Sequence, residues 1–396
     1  MKAIIAAAGT GGHINPAIAI ANEIMKKEPD SKIIFIGTNH GLETDLVPRA
    51  GYELKTIESY GIKRSLSIEN IKRFFKTMHS VKDVRKIIKY FKPDVVIGTG
   101  GYICVSVMKA AQKEHVKYVL HESNVLPGVA TKILAKKASV VLLGFKEAKE
   151  RLPEETKTVF TGTPTKVADL DYSEKQIEDK KEELGLDKEK KLVLIFGGSQ
   201  GARSINNAVK DIIINKENEK NVHTITIINS EKEMNEISFD KDENYEIMWA
   251  VGKKQFAGVK EELAKHQIDI ENIKNVKALP YIYNMEEMMN IADLIVSRSG
   301  AMTITEIEKV GKGAIFIPYP YAAENHQEYN ARALEKIGAA KVILDKDLNA
   351  ESLEKMISSL TEDKDVLKHM GEVAKSQSIP NVEEKIYQEI YKAIND

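Results

Sequence analysis

The run Ala292-Asp293-Leu294-Ile295-Val296-Ser297-Arg298-Ser299-Gly300-Ala301-Met302-Thr303-Ile304-Thr305-Glu306 decides how this chain is read. Ala292 to Val296 is a short apolar stretch of the kind that forms a buried parallel strand. Beyond Gly300, Ile304, Ile307 and Val310 recur at helical spacing. A Ser/Gly turn therefore joins a strand end to a helix start. Free backbone N–H groups and the positive end of a helix dipole converge there, which suits an anion such as a pyrophosphate. Glu306 lies about one turn into the helix, where a carboxylate could accept hydrogen bonds from a ribose diol; the plainer alternative is that it complements the dipole. Asn325-His326-Gln327-Glu328-Tyr329-Asn330 follows downstream and is read with it.

The same arrangement of strand, glycine loop and helix recurs along the chain. Lys2 to Ala8 reads as a strand, Gly9-Thr10-Gly11-Gly12-His13 as its exit loop, and a helix follows to about Lys27. Lys32 to Ile36 is a second strand ending at Gly37, and two helices are predicted within 67–91. Further strands are predicted at Asp94–Ile97, ending in Gly98-Thr99-Gly100-Gly101-Tyr102, at Lys117–Leu120, ending in His121-Glu122-Ser123-Asn124, at Val140–Leu143 and at Val159–Thr161. Gly162-Thr163-Pro164-Thr165-Lys166 breaks the pattern, and a charged helix spans about Ser173 to Leu184. Leu192 to Phe196 then restarts the theme with Gly197-Gly198-Ser199-Gln200-Gly201-Ala202-Arg203. Strands are predicted at Thr224–Ile228 and Tyr245–Val251 with a charged surface insertion between them, then at Val276–Leu279, Leu294–Val296 and Ala314–Ile317. Repeated strand–helix units of this length imply parallel sheets with right-handed crossovers. The expected architecture is α/β, two Rossmann-like domains whose sheets face each other across a cleft. An amphipathic C-terminal helix, about Val382 to Ile394, is predicted to return to the first domain. The expected division is 1–164 with 372–396, against 165–371.

Bulk properties bound the function. A chain of 396 residues is expected to hold roughly two domains. It is 42% apolar and 30% charged, with a net charge of −1, so no global field argues for nucleic acid. The single cysteine, Cys104, excludes an intramolecular disulfide and a Cys-rich zinc site, and fits a reducing cytoplasm. Residues 3–22 carry no formal charge, but the apolar run is only Ala3 to Ala8 before glycines, His13, Asn15 and Pro16 interrupt it. That is too short for a signal sequence and too broken for a spanning helix.

Specific absences narrow the chemistry. Gly9-Thr-Gly-Gly is not the Gly-x-Gly-x-x-Gly of a dinucleotide fold, and the strand ending at Gly37 lacks the acid that would hold an adenosine ribose. Gly197 to Arg203 contains no Gly-Lys-Ser/Thr, so it is not a Walker A loop. Four glycine-bearing strand exits remain, at 9–12, 98–101, 197–201 and 300. One such loop is ordinary punctuation. Four of them on two half-domains point to backbone lining a shared site, close to a sugar or phosphate. His13, at a helix start, would have its pKa lowered and could accept a proton; a lone histidine is more commonly structural. Glu122 and Asn124 follow a strand end, where functional side chains gather; alternatively they cap a helix beginning near Pro127.

Six motifs in series, spanning nearly the whole chain, carry a resemblance. They are Gly9 to His13, Gly98 to Tyr102, His121 to Asn124, Gly197 to Arg203, Arg298 to Thr303 with Glu306, and Gln327 to Asn330. Together they resemble the MurG family, the peptidoglycan N-acetylglucosaminyltransferases of the two-domain GT-B class. The resemblance implies inverting transfer of N-acetylglucosamine from UDP-N-acetylglucosamine to the muramyl 4-hydroxyl of lipid I, giving lipid II. It implies that Ser199 and Gln200 contact the diphosphate or uridine side and that Ile282 binds uracil through its backbone. Ala301, Met302 and Thr303 would hold phosphate and donor sugar, Glu306 the ribose hydroxyls and Gln327 the sugar hydroxyls. Thr10, Gly11, Gly12, Asn124 and Lys166 would also reach the donor. Tyr102 and Asn124 would line the acceptor side, and His13 and Glu122 are the candidate catalytic groups. The family usually has Gly-Asn-Pro-Val-Arg where this chain has Gly162-Thr-Pro-Thr-Lys166; lysine keeps the charge and lacks the bidentate fork. Other glycosyltransferases of the same fold, such as a diacylglycerol glucosyltransferase, a UDP-N-acetylglucosamine epimerase, and a non-catalytic nucleotide-sugar-binding scaffold are the competing readings.

No cofactor is expected, and the metal-binding expectation is none. Asp169-Leu170-Asp171 has the letters of a metal motif but sits in the linker. A lipid acceptor requires a membrane surface, and the resemblance also implies cell-wall and division proteins as partners. Between Tyr60 and Lys92 there are ten Lys/Arg against two acids, Glu69 and Asp83. Ile68, Ile71, Phe74, Phe75 and Met78 repeat at helical spacing, as in a basic interfacial helix. Phe74 and Phe75 are expected to dock on an anionic cytoplasmic leaflet, making the protein peripheral there. Val81, Val84, Ile87, Ile88 and Phe91 read as a core-facing stripe.

Overall fold

The computed structural model describes residues 1–58, 68–165, 167–198, 201–228, 243–322 and 325–395, with the backbone alone over 68–79 and 219–228. The chain divides into two compact units, Met1–Lys166 with Ile379–Asp396, and Val167–Ser378.

The first unit is built on a seven-stranded parallel sheet ordered β3-β2-β1-β4-β5-β6-β7. In chain order it comprises β1 (Lys2–Ala6), α1 (Gly11–Lys27), β2 (Lys32–Gly37), α2 (Glu43–Arg49), β3 (Glu53–Thr56) and α3 (Ile68–Phe91). β4 (Val95–Gly98), α4 (Ile103–Lys113), β5 (Tyr118–Glu122), α5 (Val129–Leu134), β6 (Val140–Leu143) and β7 (Thr158–Phe160) follow. Because side chains alternate along a strand, each strand feeds two cores. Ala3, Ile5, Val95, Ile97 and Val119 pack with Ile14, Ile18 and Ile24 of α1 on one face. Ile4, Ala6 and Val96 pack with Val84 and Ile88 of α3 and Ile103 and Val107 of α4 on the other. Strands buried on both faces read as continuous apolar runs, which is why they were visible in the sequence.

The second unit carries a six-stranded parallel sheet ordered β10-β9-β8-β11-β12-β13. Its elements are α6 (Glu174–Glu183), β8 (Lys191–Phe196), α7 (Arg203–Ile228), β9 (Tyr245–Ala250), α8 (Phe256–Ala264), β10 (Val276–Leu279) and α9 (Met285–Ile291). Then come β11 (Leu294–Ser297), α10 (Ala301–Val310), β12 (Gly313–Phe316), α11 (His326–Lys336), β13 (Ala340–Val342), α12 (Ala350–Thr361) and α13 (Lys364–Gln377). Ser173 opens α6 with a capping box to Gln176.

The final helix, α14 (Val382–Asn395), belongs to the first unit. Val382, Ile386 and Ile390 join the core beneath α1, Tyr387 donates to Glu28 at 2.8 Å, and Glu383 accepts the Thr165 amide at 3.2 Å. The chain returns at Ile379, after α13, where the sequence placed the crossing at 372. Gly371 keeps α13 on the second unit, since a Cβ there would stand 2.5 Å from the Gly311 carbonyl oxygen.

Two expectations are corrected. Residues 68–91 form one helix, α3, not two, because no glycine or proline interrupts them. Thr224–Ile228 is the end of α7 rather than a strand. Its β-branched run favours a strand locally, but that propensity is a weak prior against a helix already running from Arg203 without a breaker. The insertion expected between Ile228 and Tyr245 lies outside the described residues over 229–242. The sequence pattern announces no element over 38–58, where the short α2 and edge strand β3 lie. Among the described residues, no helix is long and apolar enough to cross a membrane.

Candidate functional site

In each sheet the strand order reverses beside the first strand, at β1/β4 and at β8/β11. Loops leaving the carboxyl ends on either side of such a point diverge and leave a crevice, where open α/β sheets bind ligands.

At the first reversal the two predicted glycine loops meet. His13 sits in the first turn of α1, and its Nδ1 lies 3.2 Å from the Ala8 carbonyl oxygen. A carbonyl can only accept, so in this contact Nδ1 carries a proton and donates it. Thr99 Oγ1 donates to the His13 carbonyl at 2.7 Å, joining the two loops. Gly100 has φ +114°, and a Cβ there would stand 2.6 Å from His13 Cδ2; glycine is required for both reasons. Tyr102 precedes α4 as its N-cap residue. Cys104 is buried with its thiol donating to the Gly100 carbonyl, and burial pushes its pKa up to about 12, so it is no nucleophile.

Glu122 closes β5 and is 5% exposed. Its Oε1 accepts from the Asn124 backbone and side-chain amides, both at 3.1 Å. Its Oε2 accepts from Gly128 N at 3.0 Å and Thr131 Oγ1 at 2.7 Å. The carboxylate thereby organises the loop that starts α5. Beside it, His121 donates Nε2–H to the Gly162 carbonyl at 3.0 Å and accepts from Ser123 at Nδ1, and burial lowers its pKa, so it stays neutral and structural.

At the second reversal, Gly300 is the N-cap of α10 in extended conformation, without a side-chain cap. A Cβ at Gly300 would meet nothing within 4 Å. Ala301, Met302 and Thr303 form the first turn, which holds no acid, so its amides are available to an anion. Glu306 follows, half-buried, on the same helix. Ser299 Oγ donates to the Gln327 carbonyl at 2.8 Å, Asn330 Nδ2 to the Ser299 carbonyl at 3.3 Å, and the Gln327 side-chain oxygen accepts the Tyr319 amide at 3.0 Å. Sequence-distant motifs at 299 and 327–330 are thus one construction. Ile282, buried just beyond β10, lies on the carboxyl edge of the same sheet. Asp169 of the linker is ion-paired with Lys375, which accounts for it structurally.

Two groups escaped the sequence reading of this edge. Arg298, in the sequence only one letter of a motif, donates Nη1 to the Ile317 and Pro318 carbonyls and to Asp345, and Nη2 to Ser204. Tyr281 and Tyr283 flank Ile282 with ring centroids 4.9 Å apart, and Lys253 Nζ lies 4.9 and 5.1 Å from the two rings. The alternation Tyr281-Ile282-Tyr283 was the available signal, since it puts two aromatics on one side of an extended chain. Lys166, Ser199 and Gln200 lie outside the described residues, as do the side chains of Phe74 and Phe75. In the remainder of α3, Val81, Val84 and Ile88 are buried as expected, while Arg85 and Lys89 ion-pair with Glu114, the C-cap of α4.

Two doubly wound units with glycine-bearing exits at both reversals make up the GT-B fold, whose activity depends on the residues grafted on it. The model of the glycosyltransferase family 28 N-terminal domain matches residues 3–143, and that of the family 28 C-terminal domain matches 192–386. Two relatives named UDP-N-acetylglucosamine–N-acetylmuramyl-(pentapeptide) pyrophosphoryl-undecaprenol N-acetylglucosamine transferase align over the whole of this chain. That of Acetivibrio thermocellus is 40% identical, covering 100% of this chain and 98% of the relative; that of Clostridioides difficile is 40% identical, covering 100% and 90%. Among solved structures, Acinetobacter baumannii MurG superposes with a TM-score of 0.70 at 24% identity, over 99% of each chain. A UDP-GlcNAc 2-epimerase from Neisseria meningitidis, bound to UDP-GlcNAc, gives 0.62 at 13%, over 99% of this chain and 100% of that one, and shares the fold alone. The chain belongs to glycosyltransferase family 28, in its MurG branch of peptidoglycan N-acetylglucosaminyltransferases.

Proposed function

We propose that this enzyme transfers N-acetylglucosamine from UDP-N-acetylglucosamine to the 4-hydroxyl of the N-acetylmuramyl residue of lipid I, with inversion, forming lipid II. The observation that carries the reading is the uncapped amino end of α10 at the β8/β11 reversal, in a chain that matches such transferases over its whole length. Inverting transfer needs a base for the acceptor hydroxyl and a stabiliser for the departing UDP. The amides of Ala301, Met302 and Thr303 supply the stabiliser through fixed donors and the helix dipole, with no cation required. Glu306 accepts from the ribose hydroxyls and Gln327 contacts the sugar. Ile282 offers its backbone to uracil, with Ser199 and Gln200 on the diphosphate or uridine side. Thr10, Gly11, Gly12 and Lys166 complete the donor contacts.

On the acceptor side His13 Nε2 takes the proton of the attacking hydroxyl. Glu122, whose oxygens accept four hydrogen bonds from its own loop, positions Asn124 and α5 rather than acting as the base. The lipid acceptor places the enzyme at the cytoplasmic face of an anionic membrane, through the basic α3.

Turnover with radiolabelled donor tests the reading. The wild-type enzyme is expected to label lipid I, and Glu306→Ala to lose most of that activity. Labelling of diacylglycerol instead, formation of the C2 epimer of the donor, or no turnover at all would each replace it with one of the competing readings.

A further inference from the structure

The sequence shows no acid at the end of β2, yet the structure brings one to the first glycine loop. Glu43, the first residue of α2, is 0% exposed. Its Oε1 accepts from Thr38 N at 2.9 Å and Thr38 Oγ1 at 2.5 Å, and its Oε2 accepts from Gly9 N at 3.0 Å. Two glycines make room for it. A Cβ at Gly37 would stand 2.7 Å from Glu43 Cγ, and one at Gly41 would collide with the carboxylate itself. Among the described residues Glu43 has no ion-pair partner, so hydrogen bonds alone satisfy its charge.

The Gly9 amide that Glu43 holds belongs to the same peptide unit as the Ala8 carbonyl that meets His13 Nδ1. In a trans peptide the N–H and C=O point in opposite directions along one conjugated group. A carboxylate accepting the N–H polarises that group and makes its oxygen a stronger acceptor. We infer that Glu43 is a positioning residue that acts on His13 through the Ala8–Gly9 peptide: carboxylate, peptide and imidazole form a chain that fixes the Nδ1–H tautomer and orients Nε2. The chain does what a carboxylate bonded directly to a catalytic imidazole does, with one peptide bond inserted. The inference rests on the reading of His13 as the group that takes the acceptor proton.

The test combines 15N spectra of the histidine rings with steady-state kinetics, His13→Gln serving to assign the His13 signals. In the wild-type protein at a pH where the ring is neutral, His13 is expected to show the proton on Nδ1. In Glu43→Gln the side-chain amide cannot serve both Thr38 and Gly9 as acceptor, so a mixture of tautomers is expected. With it kcat should fall about 10-fold or more while the KM for UDP-N-acetylglucosamine stays within about twofold. A loss through partial unfolding would instead lower the active fraction and leave the tautomer of the folded molecules alone. A wild-type ring protonated on Nε2 overturns the inference without any variant, as does a Glu43→Gln protein with unchanged tautomer and kcat. The ring spectra need no substrate, so failure of the transfer reading appears separately, as absence of wild-type turnover.

Discussion

Arg298 Nη1 lies 2.6 Å from Asp345 Oδ1, and the same guanidinium reaches the Ile317 and Pro318 carbonyls and Ser204 Oγ. One planar fork, on a residue two positions before the Gly300 cap of α10, thus holds together the exits of β11, β12 and β13 and the start of α7. Arg298 and Asp345 are mostly buried. Arg298→Lys replaces the fork with a point charge that cannot reach all these acceptors. It is expected to cost about 2 kcal/mol of stability, read from the denaturation midpoint, and to raise the donor KM. An unchanged donor KM would show that the α10 turn does not depend on this tie.

The identity of the base can be read from pH profiles. An imidazole base is lost as pH falls through its pKa, which gives the rate an acidic limb. His13→Ala should remove most activity together with that limb. Glu122→Gln leaves donors of Asn124, Gly128 or Thr131 without an acceptor, costing about 2 kcal/mol, and should lower kcat with the limb intact. Disappearance of the limb in Glu122→Gln would make Glu122 the base.

Glu308, half-buried on α10, has its pKa raised to about 8 by burial. Its folded pKa exceeds the ordinary 4.5, so its contribution to stability is full below pH 4.5 and is lost as pH rises through 8. The slope is at most about 1.4 kcal/mol per pH unit, less what solvent screens at the exposed part of the side chain. Glu308→Gln should therefore flatten the decline and melt higher than wild type at pH 8.5. Parallel stability curves between pH 5 and 8.5 would count against it.

Phe74→Ser with Phe75→Ser should weaken sedimentation with anionic vesicles, leaving turnover on a water-soluble acceptor analogue unchanged. Basic residues near such a surface contribute about 1 kcal/mol each, so raised salt should weaken the binding of both proteins. Equal vesicle binding by the two proteins would remove α3 as the docking element.

Local pattern carried much of this protein. Apolar runs buried on both faces announced the parallel strands, and glycines at 9–12, 98–101, 197–201 and 300 marked strand exits. The six motifs in series, from Gly9–His13 to Gln327–Asn330, carried the family. Pattern failed where a local preference met a longer context. Thr224–Ile228 looked like a strand because its residues are β-branched, yet it continues the helix from Arg203. The acid missing from the end of β2 was equally invisible, because α2 carries Glu43 back to Gly9 from the far side of a turn.

The sequence by itself determined the two doubly wound sheets, the motif series and the residues available for chemistry, since periodicity and glycine placement are local properties. Only the tertiary structure decided what those residues do for one another. It gave Glu122 four donors from its own loop, turned Arg298 into the tie among three strand exits, and set Glu43 and His13 at opposite ends of one peptide. The physical reason is that a hydrogen bond depends on the separation of two atoms in space, and strand order, which pairs β1 with β4 and β8 with β11, sets that separation independently of distance along the chain.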